Sequence, residues 1–159
     1  METALKTLIE NNVRFVVVGG LAISAYGLAY ITNDLDICYS RADDNLENIV
    51  SALQPFNPNL RGAPEKQPFL FEAETLRRGS NFTFRTDFGD IALLGEIAGV
   101  GTFEEIAPGA LTMILMGLEV KVISLEELIK AKRAADRMKD LLVLPGLEAL
   151  LELKTEEEL

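Results

Sequence analysis

The sequence predicts an α/β (α+β) domain, a mixed sheet flanked by helices. Three observations carry this. Short β-branched and apolar runs alternate with stretches of helical spacing along the 159 residues. The run Phe15-Val16-Val17-Val18 stops at Gly19-Gly20 and gives way at once to small and apolar residues. Toward the other end, Ser124-x-x-Glu127 forms a capping box ahead of an amphipathic run.

The elements follow in order. Leu5, Leu8 and Ile9 share one face of a helix over about Glu2 to Asn12, closed by Asn11-Asn12. Phe15 to Val18 reads as a buried strand, and Leu21 to Gly27 as a short helix after the glycine break. Asp34 to Ser40 is a second strand and Asn45 to Leu53 a helix. Gln54 to Gln67, with Pro55, Pro58, Gly62 and Pro64, reads as a loop. Ser80 to Thr86 and Asp90 to Leu94 are strands turning near Phe88-Gly89, and Leu111 to Met116 pairs with Glu119 to Ile123 around Gly117. Helices close the chain from about residue 124. One runs to about Ala135, and the other covers Met138 to Leu153 with an interruption near Pro145-Gly146, before a frayed tail. The whole, residues 1–159, is expected to be a single domain.

Composition narrows the chemistry. A net charge of -10 disfavours non-specific attraction to a nucleic-acid backbone. There is no histidine, so acid-base or metal chemistry rests on Asp, Glu, Lys, Tyr or the single Cys38. Cys38 is expected to be a buried, inert thiol, and Arg77-Arg78 a surface pair. Lacking a signal-peptide pattern and a long apolar run, the chain is expected to be cytoplasmic, with no membrane contact.

Two motifs concentrate the interest. A strand that ends in Gly19-Gly20 and turns into a helix exposes N–H groups that suit a phosphate. Asp34 and Asp36, two apart on a strand, send both carboxylates to one face, where a hard cation such as Mg²⁺ or Mn²⁺ relieves their repulsion. Either motif alone is commonplace, as a turn or a solvated strand face. Their order, with one short helix between them, is more specific.

That order resembles the signature of the DNA polymerase beta-type nucleotidyltransferase superfamily. Val18 to Ile37, Gly89 to Gly101, and the Lys132…Arg137-x-Lys139-Asp140 pattern resemble small bacterial nucleotidyltransferase-like proteins. These are relatives of minimal nucleotidyltransferases and of abortive-infection toxin enzymes. The resemblance implies a nucleotidyltransferase-type sheet and transfer of a nucleoside monophosphate from an NTP to a hydroxyl. The acceptor is left open between RNA, protein and a small molecule. By the same resemblance Asp34 and Asp36 hold the metal, Gly19, Gly20, Ser24 and Thr32 meet the nucleotide, and Lys132 or Lys139 neutralises triphosphate charge.

The chain departs from the pattern at three places. Where members carry a third carboxylate it has Ala92. Asp90 is the nearest acid on that face, but one strand repeat away, roughly 6.6 Å. Tyr26 and Tyr30 stand where relatives often have His and Arg. Two readings follow: a nucleotidyltransferase with impaired transfer, or a non-catalytic module on the same fold that binds nucleotide or a protein partner.

Overall fold

The computed structural model describes residues 1–62 and 69–158. In chain order the elements are α1 (Glu2–Glu10), β1 (Phe15–Val18), α2 (Gly19–Ala25), β2 (Leu35–Tyr39), α3 (Asp43–Leu53), β3 (Asn59–Leu60), α4 (Ala73–Arg78), β4 (Asn81–Thr86), β5 (Gly89–Leu94), β6 (Glu96–Ile97), β7 (Gly101–Thr102), α5 (Phe103–Ile106), β8 (Leu111–Leu115), β9 (Leu118–Val122), α6 (Leu125–Ala135) and α7 (Met138–Glu157). A seven-stranded sheet runs in the order β3-β4-β5-β2-β1-β9-β8, and β6 and β7 form a separate ribbon. The sheet is mixed: β2 is antiparallel to β1 and parallel to β5, and β1 is parallel to β9.

Alternation explains which residues each face buries. Leu35, Ile37 and Tyr39 of β2 and Ile91 and Leu93 of β5 point one way and are almost fully buried. Each such large apolar side chain contributes about 1.5–3 kcal/mol relative to exposure. Asp36, Cys38, Ala92 and Leu94 point the other way. All four residues of β1 are buried, as expected of a strand covered on both faces. Buried Asn45 ties the ends of β1 and β2 together. Its amide donates to the Ser40 carbonyl at 2.7 Å, and its Oδ1 accepts from the Arg14 N–H at 2.7 Å.

The structure departs from the sequence reading in four places. Helix α2 starts at Gly19 itself, so the two glycines form its first turn instead of a break before it. The expected loop after α3 holds a 3-10 turn, Gln54–Phe56, and then β3. Its remainder, 63–67, lies outside the described residues. Helix α7 runs unbroken through Pro145 to Glu157, into the tail expected to fray. A proline removes one intrahelical hydrogen bond, a loss that burial of Leu144 and Leu147 on either side offsets. Finally, α4, the β6–β7 ribbon and α5 escaped notice, although Thr102-x-x-Glu105 is a capping box that marks the start of α5.

Candidate functional site

The site grows from the junction of β1 and α2. Gly19 has φ +68°, the left-handed conformation that the strand-to-helix turn demands. A Cβ there would collide with the Asp36 carboxylate, which lies directly against the glycine. At Gly20 a Cβ would stand 2.7 Å from the Tyr30 ring and 2.8 Å from Thr32. The Cβ position at both glycines is therefore taken by the chain's own side chains, which by itself requires glycine there. Ser24 and Thr32 are likewise engaged within the 26–34 loop. The Ser24 hydroxyl donates to the Tyr30 carbonyl at 2.9 Å, and Thr32 to the Asp34 carbonyl at 3.0 Å. Both fix the loop that presents Asp34.

Asp36 is the centre of the arrangement. It faces Val18 across β1 and stands beside Ala92 across β5. Register partners share a face, so the methyl of Ala92 occupies the position next to the carboxylate. Asp34 lies one residue ahead of β2, with its side chain 47% exposed. Burial pushes the Asp36 carboxyl above the usual carboxylate value, and the Asp34 charge pushes it further. The charges of Lys132, Lys139 and Arg137 oppose this only in part. Asp90 sits one strand repeat from Ala92, and Arg61 takes it up: Nε lies 3.5 Å from Asp90 Oδ2, and Nη1 lies 3.9 Å from Asp34 Oδ2. Among the described residues no three acidic or Cys side chains converge as a metal cluster.

A second ionic group flanks Asp36 on the helical side. Asp140, at the start of α7, is 1% exposed and accepts from Lys132 Nζ at 3.1 Å and from Arg137 Nε at 2.7 Å. Burial pushes the Asp140 carboxyl up, but hydrogen bonds from Arg137 and Lys132 outweigh it and hold it below the usual carboxylate value. Lys132 and Arg137 line a cleft of about 230 Å³ together with Gly19, Asp36, Asn81 and Leu128. Lys139 is exposed, and Arg133 turns to Glu148.

Two of the departing residues act as braces. The Tyr26 hydroxyl donates to the Ile123 carbonyl at 2.6 Å, tying the end of α2 to the β9–α6 junction. Burial and the Glu126 charge raise its pKa to about 12, so it stays a neutral donor. Tyr30 covers Gly20. Cys38 is fully buried, with its pKa pushed up to about 12, chiefly by burial, so it is a thiol and not a nucleophile.

The sequence reading brought Gly19, Asp34, Asp36 and Lys132 to one place, and the structure joins them there. It missed Arg61, which lies just past a two-residue strand inside the expected loop and carries no motif. It named Arg137 and Asp140 only as parts of a pattern. That Asp140 is the carboxylate holding Lys132 depends on how α6 and α7 meet, which eight residues of spacing do not reveal.

No family model matches the chain, and no curated protein does. Solved structures do match. The lincosamide antibiotic adenylyltransferase LnuA, bound to lincomycin, is 12% identical with a TM-score of 0.60, covering 92% of each chain. The antibiotic-resistance factor ANT(2″)-Ia in solution is 15% identical with a TM-score of 0.53, covering 99% of this chain and 90% of that one. A crystal structure of ANT(2″)-Ia in complex with adenylyl-2″-tobramycin gives 15% and 0.56, with 99% and 96% coverage. The chain therefore carries a nucleotidyltransferase-like fold, an α/β architecture with a mixed seven-stranded sheet.

Proposed function

We propose that this protein binds a nucleoside triphosphate with one divalent cation, Mg²⁺ or Mn²⁺, at Asp34 and Asp36, and that it transfers the nucleoside monophosphate to a hydroxyl slowly or not at all. The single observation that carries the reading is the register pair Asp36–Ala92. One carboxylate pair beside a cationic cleft fits a cation that takes its remaining ligands from phosphate oxygens and water. It does not fit a second, fully protein-held ion, because the adjacent strand offers a methyl group. A cation held by Asp34 and Asp36 would supply charge neutralisation at the triphosphate.

The protein's own residues divide the remaining work. Lys132 and Arg137, fixed by Asp140, direct positive charge into the cleft where a triphosphate would enter. Lys139, exposed and near enough to act on Asp36, adds long-range attraction. Gly19 lets the Asp36 carboxylate lie flat against the backbone turn. No side chain beside Asp36 on β5 can accept a proton from an attacking hydroxyl, so activation of the acceptor is the step that suffers. LnuA and ANT(2″)-Ia are named for antibiotics; for this chain the acceptor, where one is used, is a hydroxyl compound of unassigned class.

Titration calorimetry with Mg-ATP and Mg-CTP tests the binding half. Wild type should bind one of them, and Asp36→Asn should lose at least tenfold in affinity, about 1.4 kcal/mol. Equal binding by both would sink it. Labelled-NTP transfer assays on wild type and on Ala92→Asp test the catalytic half, which is wrong if wild type already transfers as fast as the variant.

A further inference from the structure

The sheet face that carries Asp36 continues outward to the edge. The Arg61 N–H donates to the Thr83 carbonyl at 2.9 Å, Thr83 pairs with Ala92, and Ala92 pairs with Asp36. These four residues lie in one row across four neighbouring chain segments. The row beside it holds Asp34 and Asp90. From the row of Ala92, the Arg61 side chain reaches sideways to both acids, at 3.9 and 3.5 Å. Two carboxylates on neighbouring chain segments repel each other, and a shared cation relieves that repulsion. Here a guanidinium of this chain provides the relief.

We propose that Arg61 is a resident cation of the site, which holds Asp34 and Asp90 in the absence of ligand and competes with the incoming divalent ion for Asp34. The inference rests on the reading that Asp34 and Asp36 bind a divalent cation. Geometry favours exchange. The Arg61 side chain is 56% exposed, its contacts are longer than a bidentate guanidinium–carboxylate pair, and Asp90 gives it a place to stay once Asp34 is released. A single positive charge a few ångströms from a divalent ion opposes its binding even at high effective dielectric. The device thus sets a threshold: the free ion binds poorly, and the ion delivered with a triphosphate, whose negative charge attracts Arg61 away, binds well. It also constrains repair of the site, because a carboxylate introduced at Ala92 would lie within the reach of Arg61.

The test uses the full chain and Mn²⁺ alone, followed by electron paramagnetic resonance of the free ion. Arg61→Ala should tighten Mn²⁺ binding by about three- to tenfold. Arg61→Lys should stay nearer to wild type. Arg78→Ala, which removes the same charge at the distant end of α4, should leave the affinity unchanged. Thermal midpoints confirm that each variant is folded. If Arg61→Ala leaves Mn²⁺ affinity unchanged or weakens it while Asp36→Asn abolishes binding, the competition is wrong and the metal site stands. If Arg78→Ala tightens binding as much as Arg61→Ala, the effect is one of net charge and the proposal falls. If wild type and Arg61→Ala both fail to bind Mn²⁺, or Asp36→Asn binds as well as wild type, the metal reading falls with it.

Discussion

Two ionic triads flank Asp36, and they are built in opposite ways. On the helical side one carboxylate, Asp140, holds two cations, Lys132 and Arg137. On the sheet-edge side one cation, Arg61, lies between two carboxylates, Asp34 and Asp90. The first is buried around Asp140, with contacts of 2.7 and 3.1 Å. The second is partly solvated, with contacts of 3.5 and 3.9 Å. Buried ions need complete partners because losing one leaves a charge stranded in low dielectric. Exposed ions tolerate loss because water replaces the partner. The first triad is thus scaffold with an excess of positive charge, and the second is an exchangeable set with an excess of negative charge. The two groups present opposite net charges on the two sides of Asp36, a polarity that a metal-bound triphosphate would complement on the proposed reading.

This contrast can be broken most sharply at Asp140. Asp140→Ala should cost about 3–5 kcal/mol, read as a lower denaturant midpoint, because Lys132 is left 12% exposed without its acceptor. A loss below about 1 kcal/mol would mean that the two triads do not differ in kind. Next in size is catalysis. Ala92→Asp combined with Arg61→Ala should exceed Ala92→Asp alone in nucleotide transfer by about tenfold or more, since one removes the obstacle to the other. Equal rates would separate Arg61 from the missing carboxylate.

A smaller effect falls on Asp36 itself. Its pKa is raised in the folded chain, so its ionised form costs stability above the ordinary carboxylate value of 3.8. Stability therefore increases as pH falls through the raised pKa toward that value. Asp36→Asn should remove this dependence and raise the thermal midpoint at neutral pH. Asp140 behaves oppositely: its pKa is lowered, so its contribution is complete above 3.8 and is lost as pH falls through the lowered value. Thermal scans from pH 3 to 7 on wild type and Asp36→Asn distinguish the two signs. Least of all, Arg61→Ala should change stability by under about 1 kcal/mol, as its exposure dictates.

The parts of the molecule that were legible in the sequence are those set by local rules. Phe15 to Val18, the strand through Asp36 and the Ser124 cap follow from period, branching and capping, and each stands within about two residues of where those rules put it. The pairing of Ala92 with Asp36 could be anticipated because one resemblance covered both strands. What escaped depends on contacts between distant segments. Arg61 enters the site only because two residues of β3 pair with β4, and Asp140 matters only because α7 folds back on α6. The glycines add a reason that motif reading did not supply: the Cβ position at Gly19 is taken by Asp36, and that at Gly20 by Tyr30 and Thr32.

The Asp36–Ala92 pair also has a genetic meaning. Every codon for alanine is a single base from a codon for an acidic residue. The backbone of β5 already holds that position level with Asp36, so introducing a carboxylate needs no remodelling of the sheet. On the proposed reading, a chain built this way is one substitution from faster nucleotide transfer. If Arg61 competes for Asp34 as proposed, position 61 conditions that step, and selection on it would show the coupling.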